Sequence, residues 1–402
     1  RRLWLQTTNK IEAKAEKTYK GQDKHVTIFN LNNFRDAQID YPSSFADLYQ
    51  AKVKDKPKPD PHQVKAIADV TAGLKTSDRG QMIMACGTGK TFTTLWIKEA
   101  LKSETTLVLL PSLNLLSQTM REWAWAGNTN FEILNVCSDK SVGKKTEDMD
   151  PTDAPFAVTS EVHEIASFLQ KSGPRVVFCT YQSSALIAEA QIDTKVLTFD
   201  LAIADEAHRC AGKADAGFAT ILDGDKIRSS KRLFMTATPR YFGKAIKDAS
   251  KAADLAVVGM DDKTVFGPVV HKLTFGQAIQ DGLLTDYQVV IVGVDEPMVK
   301  QWIDNYEIVA TNPDEVTDAR TLAAKIGMLK AVNDYDLKRV ISFHNGIPRA
   351  KKFSEEIVEV ANFIEPASRP EGTFLVDYVS GKMRAGDRKD KIDRLKELAT
   401  TT

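Results

Sequence analysis

A lysine and a threonine follow two closely spaced glycines in a segment that could hold a phosphate group. Residues 86–91 read Cys-Gly-Thr-Gly-Lys-Thr and come directly after the apolar stretch 81–85. Gly87 and Gly89 carry no side chain, so the backbone can wrap closely around a phosphate and direct N–H groups at its oxygens. In a P-loop the lysine reaches the β- and γ-phosphates and the hydroxyl holds Mg²⁺. The segment therefore predicts a nucleoside triphosphate site formed by Gly87, Thr88, Gly89, Lys90 and Thr91.

One position departs from the strict P-loop pattern. Met84 stands where the first glycine of G-x-x-x-x-G-K-[ST] belongs. The prediction therefore depends on the second half of the motif and on its strand, loop and helix context. The helix predicted from Thr91 onward adds its positive end to the site.

Two adjacent carboxylates form a second candidate for chemistry. Residues 201–208 read Leu-Ala-Ile-Ala-Asp-Glu-Ala-His, a short apolar strand that ends in Asp205 and Glu206. Beside a P-loop, Asp205 can hold the metal ion and Glu206 can polarise the water that attacks the γ-phosphate. Lys90, Asp205 and Glu206 are therefore the predicted catalytic residues, and Thr91 and Asp205 the predicted metal ligands.

The elements that must position these residues alternate between apolar strands and amphipathic helices. This alternation is typical of a doubly wound α/β fold with a parallel sheet, which binds ligands at the carboxyl ends of its strands. The motifs follow strands of this kind. Strands are predicted at residues 81–85, 105–110, 131–136, 175–180, 197–204 and 231–236.

The order of further motifs resembles that of superfamily-two helicases and translocases of the DEAH type. Pro61-His62-Gln63 resembles the family's adenine-recognition motif, so the resemblance implies that Gln63 reads the base and favours ATP. Residues 234–239 resemble motif III, which links hydrolysis to the nucleic-acid side and implies coupling roles for His208, Thr236 and Thr238. The implied cofactors are ATP and Mg²⁺, and the implied fold is two RecA-like lobes in tandem.

The same resemblance implies contacts with a nucleic-acid backbone. Residues 107–118 resemble motif Ia, 176–183 motif Ib, 342–345 motif IV and 378–381 the next strand end that contacts the backbone. His344 has an equal alternative as a strand-end histidine bonded to a carbonyl. The residues predicted to contact nucleic acid are Pro111, Ser112, Thr180, Tyr181, Gln182, His344, Asn345, Ser380 and Gly381.

A second lobe is predicted to begin near residue 281 and to remain incomplete. Strands are expected at 288–294, 339–343 and 374–379, and a helix at 316–332. The family's motifs V and VI, the latter with arginines that complete the ATP site, do not follow Leu398. An arginine finger contributes roughly 10³ to 10⁵ in rate, so this segment alone is expected to bind ATP and hydrolyse it poorly.

The first fifty residues resemble the last strand, helix and strand of an Mrr-type nuclease fold, without its catalytic residues. An Mrr-like tail followed by a DEAH-type motor resembles the single-chain type ISP restriction-modification enzymes. The predicted domains are 1–50 (nuclease tail and linker), 51–280 (first RecA-like lobe) and 281–402 (partial second lobe). The resemblance implies an ATP-dependent motor on duplex DNA, covalently linked to nuclease and methyltransferase or target-recognition domains outside this sequence.

Composition limits the remaining possibilities. Lys plus Arg and Asp plus Glu both number 54, so the net charge gives no bulk attraction to a polyanion and nucleic-acid contacts must be local. The cysteines are 86, 137, 179 and 210; their wide spacing argues against zinc and against a disulfide scaffold. There is no run of 18 apolar residues and no signal core, so no membrane association and a cytoplasmic location are expected.

Two other functions stay open at the level of sequence. One is an RNA-directed DEAD/DEAH helicase, which the Mrr-like tail disfavours. The other is an ATP-gated nucleic-acid-binding module with little turnover, whose support is the missing motif VI.

Overall fold

The structure is a computed structural model with two compact units, Arg1–Asp286 and Tyr287–Thr402, called the first and second unit below. The predicted domain boundaries after residues 50 and 280 stay predictions. The residues that it describes are 2–6, 8, 11–20, 26–137, 158–192, 198–213, 217–243, 257–293, 315–363, 369–370, 372–383 and 385–397.

All described strands lie in the first unit. In chain order they are β1 (Arg2–Leu5), β2 (Val26–Phe29), β3 (Ile39–Asp40), β4 (Lys52–Val53), β5 (Arg79–Met84), β6 (Thr105–Leu110), β7 (Glu132–Val136), β8 (Arg175–Thr180), β9 (Phe199–Asp205), β10 (Gly212–Lys213), β11 (Ser229–Thr236), β12 (Val257–Val258) and β13 (Val269–Leu273).

Seven of these strands form one sheet in the order β13-β5-β11-β9-β6-β8-β7, and every neighbouring pair is parallel. The sheet positions the motifs because the carboxyl ends of parallel strands meet at one edge. Parallel strands with both faces covered are expected to be apolar throughout, and all residues of β6 and β8 are buried. The α/β parallel-sheet fold predicted for the first lobe is confirmed.

Helices cover both faces of this sheet. Those of the first unit are Ala13–Lys20, Leu31–Arg35, Pro61–Thr76, Lys90–Ala100, Leu113–Ala126, Val162–Leu169, Ser184–Ala190, Lys263–Phe266 and Phe275–Gln280. Short 3₁₀ helices span Phe45–Gln50, Tyr181–Ser183, Ala207–Arg209 and Gly217–Leu222. Two clusters of buried apolar residues lie on the opposite faces of the strands, one around Trp123 and Phe178, the other around Phe199 and Phe234.

The edge strand β13 was not predicted as a strand. Its burial alternates, with Val269 exposed and His271 buried, and it contains His271 and Lys272 in place of a continuous apolar run. His271 Nδ1 lies 2.8 Å from Asp69 Oδ2 on the helix Pro61–Thr76, which ties this edge to the sheet. An alternating strand at the edge of a parallel sheet lacks the sequence signal of the central strands.

The N-terminal segment forms the predicted strand, helix and strand. β1 and β2 pair in parallel, and the helix Ala13–Lys20 lies between them in sequence. A second small pair, β3 and β4, is antiparallel. Among the described residues no helix is long and apolar enough to cross a membrane.

The second unit contradicts three predicted strands. Its described helices are Glu315–Asp334, Ile347–Phe363 and Ala385–Glu397, and the first of these confirms the predicted helix 316–332. Residues 288–293, 339–343 and 374–379 are irregular, and residue 294 lies outside the described part. A strand needs a neighbour for its ladder of hydrogen bonds, and these segments pair with none of the described residues. Their apolar side chains are exposed as a result, Ile291 by 92% and Phe343 by 94%.

Candidate nucleotide-binding and hydrolysis site

The loop after β5 has the geometry of a phosphate cradle. Gly87 and Gly89 have φ angles of +84° and +78°, the left-handed region in which glycine carries little cost. Gly89 caps the helix Lys90–Ala100, so the first free N–H groups of that helix border the loop. Thr88 Oγ1 donates to Ala85 O at 2.7 Å, which closes the loop on itself. Lys90 Nζ donates to Met84 O at 3.3 Å, and its side chain is half-buried beside the loop.

Gln63 is buried against this loop. Its Oε1 accepts from the N–H of Asp60 at 2.8 Å, and its Nε2 donates to Gly89 O at 3.3 Å. A Cβ added at Gly89 would clash with Nε2 of Gln63. The ring Nε2 of His62 lies 3.0 Å from Thr88 O. The contact of Gln63 with this loop was not predicted from the sequence. The contact of Gln63 with adenine stays a prediction.

The start of the helix that carries Gln63 does have a sequence signal. Asp60 precedes Pro61 at the first helical position, and Gln63 occupies the third. Asp with Gln three residues later resembles a capping box, and proline at the first position is typical of a helix start. This pattern predicts where the helix begins; the packing of the helix against the phosphate loop then brings Gln63 and His62 to Gly89 and Thr88.

Asp205 and Glu206 lie at the carboxyl end of β9. Burial, and then repulsion by the Glu206 carboxylate, raises the pKa of Asp205 to about 6, although the N–H of Glu206 and the charge of Lys90 act in the opposite direction. The N–H of Glu206 donates to Asp205 Oδ1 at 2.8 Å. Glu206 has a φ of +51°, a left-handed conformation that is uncommon for a residue other than glycine. Strained backbone of this kind is concentrated at functional sites.

His208 connects this turn with the end of β11. Its Nδ1 lies 3.3 Å from Glu206 Oε2 and 2.9 Å from Thr236 Oγ1. Thr236 Oγ1 also accepts from the N–H of Thr238 at 3.2 Å. Burial lowers the pKa of His208. The Glu206 carboxylate acts in the opposite direction, and the charges of Arg209 and Arg240 lower this pKa further. The three predicted coupling residues are therefore contiguous with the predicted general base.

The structure does not support direct contact of nucleic acid with the side chains of Thr180 and Tyr181. Both are buried; Thr180 Oγ1 donates to Ser183 Oγ at 3.0 Å, and the Tyr181 hydroxyl donates to Asp205 O at 2.6 Å. Burial raises the pKa of the Tyr181 phenol well above its usual value of 10, so it stays a donor. Gln182 is half-buried in the same turn and stays a predicted contact.

The other predicted nucleic-acid contacts lie apart from this turn. Ser112 follows β6 and caps the helix Leu113–Ala126, with Oγ accepting from the N–H of Leu115 at 3.3 Å; Pro111 before it is buried. In the second unit, His344 Nε2 lies 2.9 Å from Ser342 Oγ and its ring packs on Phe353.

The remaining three residues of that prediction are also in the second unit. Asn345 Oδ1 accepts from Arg349 at 2.9 Å. Ser380 and Gly381 are half-buried. Contacts of these residues with nucleic acid stay predictions.

The order of the strands brings the residues predicted for hydrolysis together. β11 lies between β5, which ends at the phosphate loop, and β9, which ends at Asp205. Met235 pairs with Asp205, and Thr236 pairs with Ile83. Adjacent strands lie about 4.8 Å apart, so the phosphate loop, Thr236 and the acidic pair share one edge. Such an arrangement can bind a nucleoside triphosphate and position a base beside its terminal phosphate.

Fold and site together are those of a P-loop NTPase lobe. Residues 56–241 match the protein family described as the res subunit of type III restriction enzymes, and residues 1–51 match a family described as restriction endonuclease. A probable helicase of African swine fever virus is 26% identical over 291 residues, which cover 71% of this chain and 29% of the viral protein.

Two solved structures are similar to the chain over most of its length. The ATP-dependent type ISP restriction-modification enzyme LlaBIII bound to DNA is 29% identical, with a TM-score of 0.80 over 100% of this chain and 27% of its own. A nuclease-deletion mutant of the type ISP enzyme LlaGI, in complex with a DNA substrate mimic, is 29% identical with a TM-score of 0.57 over 85% of this chain and 23% of its own. The resemblance to type ISP restriction-modification motors is confirmed. The chain spans less than a third of these relatives.

Proposed function

We propose that this chain is part of the ATP-dependent DNA translocase motor of a restriction-modification enzyme. The observation that carries the proposal is the likeness of the whole chain to a type ISP enzyme bound to DNA, with a TM-score of 0.80. That likeness includes both the nuclease-type segment 1–51 and the motor segment 56–241. Duplex DNA is the proposed track, and nuclease and target-recognition domains are the proposed covalent partners.

The phosphate loop fits ATP through its own donors. Gly87 to Thr91 supply backbone N–H groups at the start of a helix, where an anion is stabilised by the helix dipole. Lys90 would leave Met84 O for the β- and γ-phosphates, which are stronger acceptors because they are charged. Gln63, already bonded to Gly89 O, would connect recognition of the base with the shape of the loop.

The residues present also fit Mg²⁺ bound together with the nucleotide. The described residues include no group of three His, Cys, Asp or Glu side chains that could hold a metal ion. Mg²⁺ usually keeps several waters and takes one or two protein ligands together with substrate phosphates, which matches Thr91 and Asp205. When bound, Mg²⁺ would neutralise charge on the β- and γ-phosphates.

Glu206 is the proposed general base. Its carboxylate lies 3.3 Å from His208 Nδ1, and its backbone has a left-handed conformation. A base must be ionised to accept a proton from water. His208 and Thr236 would then carry a change at Glu206 to the end of β11.

Contacts with the DNA backbone are proposed for the loops after β6 and β8, and for the segments at 344–345 and 380–381. Backbone contacts give affinity without reading sequence, so the target sequence would be chosen by domains outside this chain.

The test is the ATPase rate of the full-length parent protein with no nucleic acid, duplex DNA, single-stranded DNA or RNA, at one moderate salt concentration. Fixed salt matters because phosphate contacts depend steeply on it. Stimulation by duplex DNA is expected, and Lys90→Ala should remove turnover with every polymer. Stimulation mainly by RNA would favour an RNA helicase, and the absence of any stimulation would favour a gated binding module; either result would contradict the proposal.

A further inference from the structure

Tyr181 connects two strand ends that are not neighbours in the sheet. It directly follows β8, whereas its hydrogen-bond acceptor, Asp205 O, ends β9; β6 lies between these strands. Two strand spacings amount to about 10 Å. The tyrosine side chain crosses this gap beneath the surface, fully buried, with its ring centroid 5.3 Å from that of Phe218.

The acceptor belongs to the peptide group that joins the two proposed hydrolysis residues. Its C=O, from Asp205, accepts from Tyr181 at 2.6 Å, and its N–H, from Glu206, donates to Asp205 Oδ1 at 2.8 Å. Both polar ends of this peptide are therefore fixed. Since Glu206 sits in a left-handed conformation that the backbone does not favour, a bond that fixes the preceding peptide helps to maintain it.

The main chain of Tyr181 belongs to a short turn that is proposed to face nucleic acid. The 3₁₀ turn Tyr181–Ser183 starts at this residue, and Thr180 Oγ1 donates to Ser183 Oγ across it. Gln182 lies in the middle of the turn, and its buried Oε1 accepts no hydrogen bond from the described residues. Because Tyr181 begins this turn, a polymer that binds the half-exposed part of the turn would act on a segment directly joined to Tyr181.

We propose that Tyr181 is a positioning residue that transmits occupancy of the turn 181–183 to the Asp205–Glu206 peptide, and so sets the orientation of Glu206. This inference rests on the proposed function, since it requires that a polymer stimulates turnover. It adds a second connection to the hydrolysis site, which reaches the backbone of Glu206, whereas His208 reaches its carboxylate.

The test compares Tyr181→Phe with Phe218→Leu in the full-length parent protein. Tyr181→Phe keeps the ring and removes the hydroxyl, while Phe218→Leu disturbs the packing of the ring and keeps the hydroxyl. ATP turnover is measured with and without saturating duplex DNA, together with the KM for ATP, the DNA dissociation constant and the thermal unfolding temperature.

Tyr181→Phe is expected to lower the DNA-stimulated kcat by about tenfold, which corresponds to the loss of one buried hydrogen bond. The KM for ATP and the DNA dissociation constant should change by less than about twofold, because neither ligand touches the hydroxyl. The rate without DNA should fall by a smaller factor than the stimulated rate, because the bond also helps to hold Glu206 when no polymer is bound. Phe218→Leu should lower the unfolding temperature and keep the stimulation.

Three results would overturn the inference. Full DNA stimulation in Tyr181→Phe would show that the bond transmits nothing. Weaker DNA binding with an unchanged saturated kcat would make Tyr181 a contributor to binding alone, and equal losses in both variants would reduce its role to packing. A wild-type protein that no polymer stimulates would instead refute the proposed function, and the inference with it.

Discussion

The ring of His208 and the hydroxyl of Thr236 are in contact, with 2.9 Å between Nδ1 and Oγ1. This contact joins the acidic turn after β9 to the end of β11. The same Oγ1 also accepts the N–H of Thr238, so one buried oxygen serves two partners. Its removal would take the acceptor from the N–H of Thr238 and would leave His208 Nδ1 with only its longer contact to Glu206.

Thr236→Val should therefore impair coupling more than it impairs nucleotide binding. The substitution keeps the shape of a side chain that is fully buried and removes Oγ1. We expect kcat with DNA to fall by about tenfold and more ATP to be consumed per base pair travelled, with an unchanged KM for ATP. Thr236→Ser, which retains the hydroxyl, is the control and should stay close to wild type. Equal loss in both variants would contradict a role for the hydroxyl.

Glu206→Gln should separate nucleotide binding from turnover. The amide cannot accept a proton from the attacking water, so kcat should fall by about 10² or more while ATP still binds. Turnover is measured in steady state and binding with a fluorescent ATP analogue. Lys90→Ala is the comparison, since it should weaken binding itself. Near-normal turnover in Glu206→Gln would show that another residue is the general base.

Asp205→Asn should stabilise the protein in the absence of nucleotide and metal while it abolishes turnover. The pKa of Asp205 in the fold is about 6, above its ordinary value of 3.8, so folding disfavours the ionised form. The unfolding free energy should accordingly decrease as pH rises from about 4 to about 6 and remain lower above that. Allowing for partial exposure, the effect at pH 7.5 is about 1–2 kcal/mol.

Chemical denaturation at pH 4.5 and 7.5 measures this effect. Asn should raise the unfolding free energy at the higher pH by clearly more than at the lower one, where only part of the effect has developed. A variant that is less stable than wild type at pH 7.5 would mean that the carboxylate is favourably solvated or paired.

Gln63→Ala should both relax base preference and loosen the phosphate loop. The amide donates to Gly89 O and accepts from Asp60, so its loss should raise the KM for ATP by about tenfold. The preference for ATP over GTP should decrease at the same time. Val64→Ala, at the exposed neighbour on the same helix, is the matched control. Equal increases in KM for ATP and GTP would confine the role of Gln63 to the loop.

The central strands and the geometry of the phosphate loop could be predicted from the sequence for a physical reason. Strands β6 and β8 begin and end at the predicted residues because strands buried on both faces leave continuous apolar runs. The phosphate loop needs glycine where φ is positive, so Gly87 and Gly89 indicate this loop in the sequence.

Other features had no local signal. Tyr181 was predicted to contact nucleic acid, because its position at a strand end does not reveal that its ring turns inward toward Asp205. The prediction of strands in three apolar segments of the second unit was wrong, because a strand depends on a neighbouring strand that an apolar run does not specify. For Gln63 the capping pattern marks the start of the helix, but its contacts with the phosphate loop arise from the packing of this helix against residues about 25 positions further along the chain.

Movement along duplex DNA is the most direct test of the proposed motor. The full-length parent protein is mixed with duplex DNA that carries a distant triplex-forming strand, and release of that strand is followed after addition of ATP and Mg²⁺. The account predicts ATP-dependent release after a delay that grows with the distance between the recognition site and the triplex, and none with Glu206→Gln. Release that is independent of distance, or that Glu206→Gln performs as well as wild type, would contradict a translocase driven by this site.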